Sequence, residues 1–317
     1  MTRRGAVIAH FDPDGRIAPH VRRMVDSISS FSEQVVFVST SDLLPAEHDW
    51  ATGRATVLVR PNVGHDFVSY REGIRTLDLT HTDELVVCND TAVFTDPGIV
   101  ASGARSTARN ADFWGITPGY GFTPHLQSYF IVFGRRALES TSFARFWDEV
   151  EVLGSRDDVI TSFEVGLSAA LRADGLHADT VLRPTRAERA VGSARAHSHE
   201  LTAALQAHDP KKVAGWVRRT LRRAGAPEWN SAAALADRAV RAPRRLPAVK
   251  ISTLRDDPYG LDSRSLLSAC ERRFPEAFAG VREYLDRTDP AYGGRWAARP
   301  ELGPKWSRYR VPTRGSS

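Results

Sequence analysis

The sequence predicts an α/β fold: a mostly parallel central sheet followed by a basic, mainly helical C-terminal region. Three observations predict it. Short apolar runs alternate with helical apolar spacing through residues 5–180, the pattern of a parallel sheet with covering helices. Acidic or amide side chains stand at or just beyond the ends of those runs, where an open α/β sheet carries its ligand-binding groups. The charge then reverses: residues 1–182 hold 16 Lys+Arg against 24 Asp+Glu, and residues 183–317 hold 27 against 14, so a net −8 is followed by a net +13.

Residues 5–11, GAVIAHF, read as a buried strand bounded by the turn sequence Asp12-Pro13-Asp14-Gly15. Ile17, Val21, Met24, Val25 and Ile28 recur at helical spacing over 17–31. Strands follow at 34–39 (QVVFVS) and 55–60 (ATVLVR), then a helix over 67–78 behind Gly64. Further strands are expected at 84–89 (ELVVCN) and 128–134 (SYFIVFG), and helices over 141–153 and 158–174, the second with Gly175 as C-cap. Beyond about residue 183 the pattern is helical and basic, over 198–224 and then 230–242 behind the N-cap Asn230-Ser231. Pro243 and Pro247 break that run, PAVKISTLRDDPYG is extended or turn-like, and a helix covers 263–286. From about residue 287 the chain is rich in Gly, Pro, Trp and Arg and is expected to be loosely ordered. The predicted division is 1–182, carrying the site, and 183–317, packed on it.

At 42% hydrophobic and 26% charged, the composition is that of a globular protein with an ample core. No run approaches the ~20 apolar residues that span a bilayer. Cys88 and Cys270 lie far apart without metal-ligand spacing, and the apolar stretch after Met1 is too short for a secretory core, so a cytoplasmic setting is expected. A basic half fits a phosphorylated substrate, an anionic membrane face or a polyanion, or else a solvated helical surface. It has no helix-turn-helix, zinc-finger or RNA-binding signature, so nucleic acid is not expected as a partner.

Five segments carry chemistry. Asp12 and Asp42 follow the first two strands, the position of nucleoside contacts or, equally, of turn and cap aspartates. Asn62-Val63-Gly64-His65-Asp66-Phe67 sets two short polar groups around a glycine that is free to take a positive φ, with Arg71 one helical turn on; a helix N-terminus there suits a diphosphate. Asn89-Asp90-Thr91 ends a buried strand and offers oxygen ligands to a metal or a sugar, with Asp90 the charged member. His125-Leu126-Gln127-Ser128 leads into the next strand, where polar residues can line a pocket. Glu164 sits between Phe163 and Val165 in an apolar helical stretch, where a modest rise in pKa suits a general base. Together these meet the needs of sugar transfer from a nucleotide donor: holding the nucleoside, neutralising a diphosphate leaving group, and deprotonating an acceptor hydroxyl.

The strings RPNVGHDFVSYREGI, LVVCNDTAVF, ADFWGIT, HLQSYFIVF, SFARFW and VITSFEVGLSAALRADG, with the later NSAAALADRAVRAPRRLPAVKISTLRDDPYG, resemble the rhamnan-synthesis F family of bacterial glycosyltransferases. The later stretch matches that family's Asn-initiated helix, its Pro-x-x-Lys (Pro247 to Lys250) and its Arg-Asp-x-Pro (Arg255 to Pro258). The resemblance covers about residues 5–180 and 229–260. It implies a GT-A-type nucleotide-sugar fold and rhamnosyl transfer from dTDP-rhamnose in cell-surface polysaccharide synthesis. A wider likeness to inverting family-2-type glycosyltransferases implies roles for single residues. Their Asn-x-Gly matches Asn62 and Gly64. Their catalytic Glu-Asp, before a helix ending in Gly, matches Glu164 alone. His125 and Gln127 join the donor pocket. Asn89-Asp90 stands where they carry a metal-binding Asp-x-Asp, a departure that leaves Mg2+ or Mn2+ an open requirement.

The sequence therefore gives Glu164 as the base, Asp90 as the metal or leaving-group residue, and Asp12, Asp42, Asn62, Gly64, Asp66, Arg71, Asn89, His125, Gln127 and Ser128 as donor-binding residues. The resemblance implies a glycan or polyprenyl-diphosphate-linked acceptor, and the basic half leaves peripheral contact with the inner membrane face open. Two alternatives stay open: a UDP- or GDP-sugar used on a small molecule or protein, and a non-catalytic domain that binds nucleic acid or another polyanion.

Overall fold

The protein is described by a computed structural model that covers residues 2–95, 111–120, 123–206 and 229–298. Its strands are β1 (Arg4–His10), β2 (Gln34–Ser39), β3 (Thr56–Val59), β4 (Glu84–Asn89), β5 (Ala92–Phe94), β6 (Phe113–Gly115), β7 (Pro118–Gly119), β8 (His125–Leu126), β9 (Phe130–Gly134), β10 (Ala178–Thr180) and β11 (Ala248–Lys250). Seven of them form the central sheet in the order β3-β2-β1-β4-β9-β6-β10. Within it β9 alone runs against the rest, pairing antiparallel with both β4 and β6. The expected mostly parallel α/β architecture is the one observed.

Alternation along the strands divides the core into two layers. Ala6, Ile8, Val35, Phe37, Val86, Cys88, Phe130 and Val132 face one cluster, and Val7, Ala9, Val36, Val38, Leu85, Val87, Ile131 and Phe133 face the other. The first face is covered by α1 (Pro19–Ser29) and by apolar residues of the second half, among them Trp229, Leu235, Leu254, Leu266, Phe278, Leu285 and Trp296. The second face is covered by α3 (His65–Thr76), which follows α2 (Pro45–Thr52), and by the helices Thr141–Glu149 and Gly166–Ala173. Gly73 lets α3 lie against β1: a Cβ there would stand 2.3 Å from Val7 Cγ1. The second half is thus one of the layers that closes the core.

Several long helices in the sequence reading are broken in the structure. Residues 158–174 hold a π-helical segment, Ile160–Val165, between Arg156–Val159 and Gly166–Ala173. Residues 263–286 form Ser263–Arg273, Pro275–Phe278 and Val281–Thr288, because Pro275 starts a new turn and Gly280 takes φ +77°. Residues 230–242 form two short helices, Ser231–Ala234 and Asp237–Arg241. The first basic helix starts earlier than expected and runs over Arg186–Gln206; the remainder of the predicted 198–224 lies outside the described residues. The stretch after 287, expected to be loose, packs down as far as 298. Asp289–Tyr292 is a 3-10 turn, and Trp296 is 1% exposed with its backbone N–H bonded to Asp289 at 2.8 Å.

Candidate functional site

Because β1, β2, β3 and β4 are parallel, their C-terminal ends share one edge of the sheet, and antiparallel β9 brings its N-terminal end to that edge too. Asp12, Asp42, Asn62, Asp90 and Ser128 all stand there by topology alone. A separate cavity of about 420 Å3 opens at the other ends of β2 and β3, lined by Glu33, Gln34, Arg54 and Thr76 among others, away from this edge.

At the centre of the edge, Asn89 Nδ2 donates to Asp66 Oδ2 at 2.7 Å, while Asn89 Oδ1 accepts from Thr91 Oγ1 at 2.6 Å. The amide is fixed at both ends and holds the first turn of α3 against the end of β4. That turn starts at Gly64, φ +75°, where a Cβ would meet Val68 Cγ2 at 2.5 Å. Asp90 Oδ2 accepts from Phe11 N at 2.7 Å. Burial pushes the Asp90 carboxyl up to about 8; the Phe11 amide opposes this, and the charges of Asp66 and Asp12 add to it.

Glu164 reaches the same edge from the π-helical segment. Its Oε1 accepts from Ser128 N at 2.6 Å, and Ser128 O accepts from Tyr70 Oη at 2.9 Å. Tyr70 is fully buried, and its hydroxyl is raised by burial first and then by Asp66, Cys88, Asp90 and Glu164, which places these groups around one phenol. Phe67 and Phe163, the neighbours of Asp66 and Glu164 in sequence, pack ring against ring at 5.5 Å. That contact locks the two carboxylate-bearing elements together. A π-helical turn shifts the side chains beyond it around the helix and recurs at functional sites.

The remaining expected residues fall into other roles. Asp12 is 2% exposed, and its Oδ1 accepts from Asp14 N at 2.9 Å and from Arg16 N at 3.2 Å. Arg287 grips both of its oxygens. Burial would raise its pKa, but the Arg287 bond and the turn amides outweigh that and hold the carboxyl below its usual range. Asp12 is thus held in its turn by backbone amides and by an arginine of the second half. Arg71 binds Val150 O and Glu72, tying α3 to the end of helix Thr141–Glu149. Asp42 and Asn62 are exposed at the rim. His125 is buried, with Nδ1 2.9 Å from Thr123 O. Gln127 Oε1 accepts from Thr117 Oγ1 at 2.7 Å and from Ala232 N at 3.3 Å, so it sews the second half to the sheet edge and is not a free pocket wall.

Sequence reasoning missed the groups that the second half delivers. β11 pairs antiparallel with β5, with Lys250 opposite Ala92, and Ile251 N donates to Thr91 O at 2.8 Å. This seats residues 250–256 beside Asp90. Lys250 Nζ lies 5.1 Å from the Tyr129 ring centroid, and the Arg255 guanidinium lies 3.7 Å from that of Tyr292. The signal that could have found them was the Pro247-x-x-Lys250 and Arg255-Asp256-x-Pro258 strings, which placed them in the family without giving them a role.

Among the described residues no three His, Cys, Asp or Glu side chains form a ready-made metal cluster. What the edge offers a cation is the Asp90 carboxyl group. That fits an ion such as Mg2+, which takes one or two carboxylates and draws further oxygens from substrate phosphates.

A model of the family described as rhamnan synthesis protein F matches residues 35–213. Among curated proteins, the uncharacterized protein y4gN of Sinorhizobium fredii is 26% identical over 157 residues, 47% of this chain; the chain spans about two fifths, 41%, of that relative's length. Solved structures overlay loosely. A 4-diphosphocytidyl-2C-methyl-D-erythritol synthase from Anaerococcus prevotii has TM-score 0.35 and 10% identity, over 51% of this chain and 82% of its own. Glucosyl-3-phosphoglycerate synthase from Mycobacterium tuberculosis has TM-score 0.33 and 11% identity, over 57% and 82%. The fold assignment rests on the strand order itself, and the family match spans more than half of the chain: this protein belongs to the rhamnan synthesis protein F family.

Proposed function

We propose that the chain is an inverting glycosyltransferase that moves a sugar from a nucleotide donor, L-rhamnose from dTDP-rhamnose, onto a hydroxyl of a glycan or polyprenyl-linked acceptor. The observation that carries this reading is Glu164. It is anchored through one oxygen by Ser128 N, has no described partner on the other, and shares the sheet edge with Asp66 and Asp90. In the reaction the acceptor O–H bond breaks and its proton passes to the free Glu164 oxygen. The acceptor oxygen bonds to the anomeric carbon from the face opposite the departing diphosphate, which keeps the electron pair of the broken C–O bond. Ser128 N and the Phe67–Phe163 contact hold the base in place for that transfer.

Asn62, Gly64 and Asp66 shape the donor-sugar side. Asp90 faces the diphosphate, and Asp42 lies toward the nucleoside rim. A divalent cation, held by Asp90 and the donor's phosphate oxygens, would neutralise the leaving group. An ionised Asp90 with no cation would instead repel it; the raised carboxyl avoids that cost at neutral pH by staying protonated. Among the described residues no helix is long and apolar enough to cross a membrane. The basic second half supports a cytoplasmic protein that touches an anionic membrane face from its side.

The test is Glu164→Gln. Transfer from dTDP-rhamnose should fall by about 10²–10⁴-fold, the usual worth of a positioned base, with donor affinity unchanged. Near-normal transfer by the variant removes Glu164 as the base. A panel of dTDP-, UDP- and GDP-sugars that all leave the melting temperature unmoved removes the donor reading.

A further inference from the structure

We propose that Arg255, delivered by the second half, is the group that binds the diphosphate of the nucleotide donor at the Asp90 corner; this rests on the glycosyltransferase reading above. Arg255 is 4% exposed, and no other Lys or Arg is buried to that degree among the described residues. Its Nη2 donates to Thr288 Oγ1 at 2.8 Å, and its plane lies against Tyr292 at 3.7 Å. No carboxylate among the described residues pairs with it, and its Nε has no hydrogen-bond partner. A buried, uncompensated cation is a state proteins avoid unless an anion arrives to complete it.

Its neighbour shows the contrast. Arg287 lies by the same Tyr284 ring, 5.7 Å from the centroid against 5.9 Å for Arg255. Arg287 is neutralised by Asp12 and Asp14. Arg255 makes no such ion pair among the described residues. It also stands close enough to the site to matter. Burial raises the hydroxyls of Tyr284 and Tyr292, both of which Arg255 touches, and the charge of Asp90 raises both further. The β5–β11 ladder fixes this proximity, because Ile251, which opens the helix carrying Arg255, bonds directly to Thr91 O.

A planar guanidinium offers two parallel N–H donors to phosphate oxygens, which a point charge does not. As the anomeric C–O bond breaks, the electron pair stays on the β-phosphate oxygen, and Arg255 stabilises that charge without giving up a proton. Tyr292 and Thr288 hold its plane, so little side-chain freedom is lost on binding.

The experiment is isothermal titration of the full chain with dTDP, inorganic pyrophosphate and thymidine, in wild type, Arg255→Gln and Arg255→Lys. Arg255→Gln should weaken dTDP and pyrophosphate by about 10–100-fold, the range for a lost charge-assisted hydrogen bond, and leave thymidine unchanged. Arg255→Lys keeps the charge but not the fork and should fall between; it carries the test if the Gln variant does not fold. Equal dTDP affinity in wild type and both variants overturns the assignment and leaves the donor reading standing. Pyrophosphate binding that depends on Arg255, with no nucleoside diphosphate bound, supports the anion site and sinks the donor reading. A wild type that binds neither probe overturns both.

Discussion

Asp90 gives the sharpest test of the site's electrostatics. Its carboxyl is raised from the usual 3.8 to about 8, chiefly by burial. The folded state therefore keeps a proton that the unfolded chain releases between those two values. Stability from this group is fully present below about pH 4, and it is lost as pH rises toward 8. Asp90→Asn removes the titration while keeping an oxygen to accept from Phe11 N. At about 1.4 kcal/mol per unit, the three units from pH 5 to pH 8 amount to ~4 kcal/mol as an upper bound. The residue is partly open to water, so about 2 kcal/mol is the working figure. Chemical unfolding of the ligand-free protein at pH 5 and pH 9 measures it. The variant should gain ~2–4 kcal/mol on wild type across that interval, and because the quantity is a difference between two proteins, the other titrating groups cancel. A gap that stays flat or shrinks refutes the reasoning.

Three further outcomes follow from the same geometry. Phe163→Ala removes the ring that joins the Glu164 segment to α3 and should cost ~3–5 kcal/mol in denaturant unfolding, with transfer falling further than stability explains. Gly64→Ala meets both a positive φ and Val68 Cγ2; a loss of ~2–4 kcal/mol and a lower melting temperature are expected, and an unchanged melting temperature contradicts the tight turn. Glu164→Gln should separate catalysis from binding, with turnover lost by ~10²-fold or more and donor Kd unchanged by titration.

The sheet was legible because period-2 alternation and strand-end polar residues are local signals. The runs at 34–39 and 84–89 coincide with β2 and β4, the run at 5–11 overlaps β1 within one residue at each end, and the same parity that assigns Ile8 and Val7 to opposite layers is visible in the letters. Asp66, Asn89, Asp90, Ser128 and Glu164 were legible for the same reason: each stands where an element meets the edge. What was not legible depends on geometry that periodicity ignores. A π-helical turn at Ile160–Val165 keeps the apolar spacing of an ordinary helix to within one residue, so the sequence shows no break. The chain reversals at Pro275 and Gly280 sit inside a run whose apolar pattern continues across them. The Arg71 bond to Val150 O spans 79 residues, a contact no local pattern announces.

Asp12 shows why the two halves are one site. In sequence it is a strand-end aspartate, a candidate for the nucleoside like any other on that edge. In the fold it is buried and held by Arg287, 275 residues away. The net −8 of residues 1–182 and the net +13 that follows carry the partners of these ion pairs. They meet across the carboxyl edge of the sheet, where Asp12 and Asp14 neutralise one arginine and leave its neighbour uncompensated. A single extra carboxylate opposite Arg255 would pair it as Arg287 is paired and close the corner to an anion. Its absence, beside a carboxyl that burial keeps protonated, leaves a positive site of the sign a diphosphate requires.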